Sequence, residues 1–321
     1  MVRYLARRLV QTVPLLLLIS IIGFGIIQMT GDPLAAYTME TALSGEDIAR
    51  LRAYYGLDQP VYVQYLNWLG NLARGDWGTS YVAHKPVLDL ILQRLPNTLM
   101  LVAASYMLIL SVSIVLGIYT AIRQYSWVDH LVTGLAFVGI SIPSFWLGLI
   151  LLVVFAVGTR NLGLPYFPAG GMYDLSVGPT GPQVLWHLVL PAVTLATVVT
   201  ANYIRYIRAS MLEVLHNDYV RTARAKGLHN GVILRRHAFR NAAIPLVTLI
   251  GLDLPRFLSG SLVVEAIFAW PGLGRLFWEH AERTDIPVLM AIMMLTAAMV
   301  VFFNLLADVA YAFLDPRIRY G

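Results

Sequence analysis

The sequence predicts an all-α integral membrane protein: six transmembrane helices, a small extracytoplasmic domain after the first of them, and both termini in the cytoplasm. Three observations predict this. First, the 321 residues are 58% hydrophobic and only 13% charged, with mean hydropathy +0.68, whereas a soluble domain carries roughly 25% charged residues. Second, six apolar runs approach or exceed the ~20 residues that a helix needs to cross a bilayer. Third, the basic residues sit mainly between runs on one side, the pattern that marks cytoplasmic loops. The net charge of +5 is therefore explained by topology, and no nucleic-acid partner is expected. There is no cysteine, which excludes disulfides, thiolate metal sites, Fe–S clusters and thiol catalysis.

The first element, residues 1–29, opens with Arg3, Arg7 and Arg8 ahead of an apolar run from Leu9 to Met29. The run is long enough to span and no A-x-A site follows, so it reads as a retained first span. Residues 30–96 form the predicted extracytoplasmic domain. Ser44 is placed to cap a helix that stops at Gly56, and Pro60 precedes a second, amphipathic helix whose tyrosines and Trp68 suit a membrane interface. The membrane core, 97–311, holds spans two (97–118), three (130–157), four (188–206), five (243–264) and six (286–311). Span three contains Pro143, read as a kink or as a break lining a substrate path. Residues 158–187, rich in Gly and Pro, make an outside loop. A basic loop, 208–242, joins spans four and five on the inside, and the tail 312–321 carries Arg317 and Arg319.

Several chemistries are missing. There is no GxxxxGK[ST] phosphate loop and no HExxH, and no two of the seven histidines are four apart. Ser141, Ser144, Ser259 and Ser261 lie in apolar stretches with no histidine beside them to activate a hydroxyl. The chain is therefore expected not to be an enzyme, and any uphill transport must be driven by another subunit or by an ion. Inside span five, Asp253 and Arg256 fall three residues apart. Intramembrane charges are costly and face a bundle interior or a wet path; the pair is either a structural anchor or part of a pathway for a charged substrate. An ion-coupled carrier usually needs more buried carboxylates than Asp253 and Asp308.

The basic loop has too much pattern for a connector. Asn217 or Asp218 can cap a helix through Tyr219–Lys226, and Gly227 is a natural left-handed stop. Asn230 can cap a second helix to about Arg240. Ala223 and Ala225 leave room for a close surface, and Tyr219 and Val220 offer an apolar knob.

The run YVRTARAKGL followed by RHAFRNAAIP resembles the EAA loop of ABC-importer permeases in its peptide-transporter form. Relative to the general Glu-Ala-Ala pattern, the Glu and first Ala are replaced, giving Arg221-Thr222-Ala223 before Gly227. The usual proline after the glycine is also displaced. Both departures are usual in the dipeptide, oligopeptide and nickel branch. GDWGTSY (75–81) and VVEAIFAWPGLGRL (263–276) are similar to that branch as well, and the layout resembles its first, B-type permease.

The resemblance implies a type I ABC importer-like fold and one half of a heterodimeric pore in a bacterial or archaeal plasma membrane, in contact with membrane lipid. It implies coupling through Tyr219, Val220, Thr222, Ala223, Arg224, Ala225, Lys226 and Gly227. The implied partners are a second homologous permease, two ATP-binding subunits and an extracytoplasmic solute-binding protein. ATP and Mg would be held by the partner subunits and no cofactor by this chain. Peptides are the implied cargo; nickel, glutathione or an oligosaccharide, or an ion-coupled secondary transporter, are the alternatives.

Overall fold

The computed structural model describes residues 2–29, 31–34 and 44–314; within these, the side chains of 2–6, 9, 237, 244, 245, 247, 248, 252, 254–256, 258–260, 307 and 310–314 lie outside the description. Among the described residues the regular elements are all helices, apart from one isolated bridge between Thr79 and Pro86. The helices are α1 (Val2–Met29), α2 (Gly45–Tyr54), α3 (Val61–Ala73), α4 (Val87–Ile122), α5 (Trp127–Ser141), α6 (Ser144–Asn161), α7 (Gly181–Leu215), α8 (Asp218–Ala225), α9 (230–242), α10 (Ile244–Ile267), α11 (Leu273–Ala281) and α12 (Ile286–Leu314). The described residues divide into two compact units, one drawn from within 2–97 and 272–302, the other from 98–271 and 303–314.

In the first unit, α2 begins where Ser44 accepts the Asp47 N–H at 3.3 Å. It ends in a turn that closes the Leu57 N–H on the Arg52 carbonyl at 2.8 Å, with Gly56 at φ +66°. Pro60 opens α3. An aromatic cluster, Phe24 with Tyr65 and Trp68, packs on Ile286 and Met290. A second apolar cluster joins Val87 and Ile91 of α4 to Leu273 and Leu276 of α11 and to Val288, Ala291 and Ile292 of α12.

In the second unit α7 is the hub: α5, α6 and α10 all pack on it. Close approach comes from small residues. A Cβ on Gly117 would lie 2.8 Å from the Ile207 side chain, and one on Gly139 would lie 3.4 Å from Thr197. The hydroxyls of Ser105, Ser113, Ser141, Thr194 and Thr197 bond to carbonyls four residues back, which satisfies them inside apolar helices.

Among the described residues, five helical segments are long and apolar enough to cross a membrane: 10–29, α4, α6, α7 and 286–306. The single third span read from the sequence is two helices. Pro143 lacks an N–H and forces Ile142 into extended backbone (φ −88°, ψ 124°), so α5 ends and α6 begins again at Ser144. Within α6, Leu152–Gly158 is π-helical. α4 starts at Val87, ten residues before the span boundary set by hydropathy at 97, because amphipathic turns of the same helix precede its apolar part.

Candidate functional site

The basic loop folds as two helices joined by a tight turn. Asn217 occupies the N-cap position of α8 in extended backbone, but its side chain makes no capping bond. α8 ends in a Schellman turn: the Gly227 N–H bonds to the Arg224 carbonyl at 2.9 Å and the Leu228 N–H to the Ala223 carbonyl at 3.3 Å, with Gly227 at φ +75°. His229, not Asn230, caps α9, and its ring nitrogen accepts the Gly231 N–H at 3.2 Å. α9 is π-helical over Ile233–Phe239.

The structure sorts the predicted loop residues by face. Val220 and Ala223 are buried against Ile233 and Val214. They form the seam that holds α8 to α9 and do not lie on the outer face. Thr222, Arg224, Ala225, Lys226 and Gly227 are exposed, as is Tyr219 at 41%. The Tyr219 hydroxyl also accepts from Asn241 Nδ2 at 3.2 Å, tying α8 to the end of α9. Exposed cations Arg221, Arg224 and Lys226 surround this face.

At the root of the loop lies a contact that the sequence reading did not find. Arg208, counted there as a loop cation, grips the buried Asp129 with two bonds, Nε to Oδ1 at 2.8 Å and Nη2 to Oδ2 at 2.9 Å. Asp129 also accepts the Tyr125 N–H at 3.0 Å. A bidentate arginine fixes orientation as well as distance, so the end of α7 that leads into the loop is locked to the start of α5.

The three pathway candidates, Pro143, Asp253 and Arg256, fare differently. Pro143 and Asp253 line one cleft of about 510 Å³, together with Ser141, Ser144 and Asn202. The Arg256 side chain lies outside the described residues. The hydroxyls of Tyr106 and Tyr203 in the same unit are buried and reach no hydrogen-bonding geometry in this conformation. Polar side chains thus share a cleft with the break between α5 and α6.

The motif GDWGTSY resolves into a clamp around Asp285. Asp285 is fully buried. Its Oδ2 accepts from Ser80 Oγ at 2.5 Å and from the Val82 N–H at 3.2 Å, and lies 2.8 Å from His280 Nδ1; Oδ1 accepts the Tyr81 N–H at 3.1 Å. Burial alone would raise its pKa, but the bonds from His280, Ser80, Val82 and Tyr81 outweigh it and hold the carboxyl below its ordinary range.

Comparison with known proteins fixes the class. Residues 113–320 match the family described as binding-protein-dependent transport system inner membrane component, and residues 1–102 match the N-terminal region of the same membrane component. The chain belongs to this family. It is a multi-pass permease subunit of an ABC importer. Among curated relatives, it is 46% identical to the oligopeptide transport system permease protein AppB of Bacillus subtilis (strain 168), over all of both chains. It is 37% identical to the dipeptide transport system permease protein DppB of Alkalihalophilus pseudofirmus, again over all of both. A solved structure of the MetNI methionine ABC transporter in inward-facing conformations aligns with TM-score 0.56 at 18% identity, covering 72% of this chain and 98% of that one. A crystal structure of an amino acid ABC transporter aligns with TM-score 0.50 at 16% identity, covering 70% and 94%. These two likenesses support the fold alone.

Proposed function

We propose that this chain is the B-type permease of an ATP-driven peptide importer, forming half of the translocation pore. The observation that carries the cargo is full-length similarity to permeases named for oligopeptide and dipeptide transport. In this reading α1, α4, the α5–α6 pair, α7, α10 and α12 make six spans, with both termini and the loop 208–242 in the cytoplasm. Residues 30–96 form a domain on the outer face, where a solute-binding protein delivers the peptide. A second, homologous permease completes the pore. Two ATP-binding subunits hold ATP and Mg, and no cofactor is bound by this chain.

The outer face of α8, with Tyr219, Thr222, Arg224, Ala225, Lys226 and Gly227, docks in a groove of an ATPase. Val220 and Ala223 serve from behind by fixing α8 on α9. Movement of the docked helix, carried by the chain into the end of α7, is passed to α5 through the Asp129–Arg208 pair, because two parallel bonds resist rotation where one would pivot. The cleft at Pro143 and Asp253 lies on the peptide path. A broken helix there offers polar contacts to a peptide backbone without leaving unsatisfied groups in lipid.

The test is reconstitution of the complete transporter in proteoliposomes with its binding protein. ATP-dependent uptake of a labelled oligopeptide, abolished when the ATPase subunits are omitted, is the expected result. Uptake driven by an ion gradient in their absence would assign the chain to the carrier class. ATP-driven uptake of nickel, glutathione or an oligosaccharide but no peptide would keep the importer and reject the cargo.

A further inference from the structure

The first unit contains a second built cavity, unrelated to the cleft at Pro143. It is about 600 Å³, lies within the size range of small-ligand sites, and is walled by Tyr55, Trp68 and Tyr81, with Asn71, Asp76 and His84 supplying polar groups. Tyr55 and Tyr81 meet with ring centroids 4.5 Å apart. No Lys or Arg is among the described residues lining it.

Three features make it more than a surface dent. Its walls are held. Tyr81 belongs to the Asp285 clamp through its N–H, and Gln64 Nε2 bonds to the Gln59 carbonyl at 2.8 Å while Asn67 Nδ2 bonds to Gln59 Oε1 at 3.0 Å, fixing the turn between α2 and α3. His84, on the wall, adopts φ +51°, a conformation that a non-glycine residue keeps only when its surroundings impose it; its N–H is bonded to the Ser80 carbonyl at 3.1 Å. Finally, Asp76 accepts the Gly78 N–H through Oδ1 at 2.9 Å and makes no ion pair among the described residues.

We infer that this cavity binds a cationic amine, the α-ammonium end of a short peptide, between the aromatic faces and the Asp76 carboxylate. An ammonium is drawn to the negative faces of aromatic rings, and a carboxylate inside the same concavity supplies a charge-assisted bond. An anionic ligand would meet Asp76 with no Lys or Arg on the described walls to offset it, and a purely apolar one would cover the exposed Asn71 and Asp76 side chains without replacing their hydrogen bonds to water. The choice of a peptide as the bearer of the ammonium rests on the proposed cargo; the preference for a cationic amine does not.

The probes are trileucine, N-acetyl-trileucine and phenethylamine, titrated calorimetrically against the complete permease–ATPase complex in nanodiscs without binding protein. Asp76→Asn keeps the Oδ1 acceptor for Gly78 and removes the charge. Tyr55→Leu keeps bulk and removes one aromatic face. The expected result is saturable binding of trileucine and phenethylamine, at least tenfold weaker binding of the acetylated peptide, and at least a tenfold loss for both amines in each variant. Equal binding of free and acetylated peptide, or wild-type binding by Asp76→Asn, overturns the inference. ATP-driven peptide uptake is scored separately. Uptake without Asp76-dependent binding removes this site and leaves the importer, whereas Asp76-dependent phenethylamine binding with no peptide uptake keeps the amine site and rejects the cargo.

Discussion

Two loop regions of this molecule are held together by opposite means. The clamp at Asp285 buries a carboxylate and surrounds it with four polar partners drawn from residues 80–82 and 280. The loop 217–242 buries only Val220, Ala223 and Ile233 in its seam and keeps most of its charges outside. A buried charge is held in one geometry, because any slip leaves donors unpaired in a low dielectric. A small apolar seam keeps two helices together as a body yet asks nothing specific of what lies on their outer face. The first arrangement suits a wall that must not move; the second suits a part that is carried, whole, against a partner.

Removing the carboxylate from the clamp should have the largest effect. Asp285→Ala strands Ser80, His280 and two backbone N–H groups, and each buried donor left unsatisfied costs roughly 1–3 kcal/mol. Asp285→Asn should be milder, since its oxygen can take the place that receives three partners and only the Tyr81 N–H then faces an amide donor. The expected order of thermal stability in nanodiscs is wild type, Asn, Ala. Equal midpoints for all three would show that the clamp contributes nothing. Acid probes the same group. A carboxyl held below its ordinary range in the folded state contributes stability that is complete above the unfolded value near ~3.9 and is lost as pH falls through the lowered folded value. Thermal midpoints of wild type should therefore fall more steeply below about pH 4 than those of Asp285→Asn.

Next in size is an attack on the seam. Val220→Asp places a carboxylate among Ala223, Ile233 and Val214 with no partner, a burden of roughly 3 kcal/mol or more. Since the seam is small, α8 should come away from α9 while the spans still insert. Membrane yield should stay within twofold of wild type, and ATPase co-purification and uptake should fall at least tenfold. Uptake at the wild-type level would mean that α8 need not be fixed on α9. Ala223→Glu breaks the same seam, so it reports on the loop's integrity and not on the docking contact; Arg224→Glu, on the exposed face, tests docking itself.

How much of this was legible in the sequence follows from the range of each interaction. Caps and stops are local, so Ser44, Gly56 and Gly227 were placed from their neighbours alone, and Pro143 announced a break within one turn of where it occurs. The inner face of α8 was not legible. Val220 looked like a knob because nothing local says that Ile233 will meet it. Asp129 with Arg208 and Asp285 with Ser80 are 79 and 205 residues apart. Hydropathy counts a charge and cannot see its partner. Of the proposed path, Pro143 and Asp253 were each visible as an oddity in an apolar run; that they share a cleft depends on how α5 and α10 pack around α7.

The smallest effect should come from Gly227→Ala, and it separates two reasons for a glycine. Nothing lies within 4 Å of a Cβ built on Gly227, so the residue is not there to let this chain's own atoms approach. What remains is its φ of +75°, which an alanine adopts at a cost of about 1 kcal/mol. The bonds from Gly227 N–H to Arg224 and from Leu228 N–H to Ala223 survive that change. Gly227→Ala should therefore stay folded, and uptake measures what covers the glycine in the assembled transporter. If uptake falls less than threefold, only the backbone conformation matters. If it falls tenfold or more with stability within about 1 kcal/mol of wild type, a partner surface is packed against the missing side chain. Gly227→Pro is the control: it removes the N–H bonded to Arg224, forces φ negative and should behave like the broken seam.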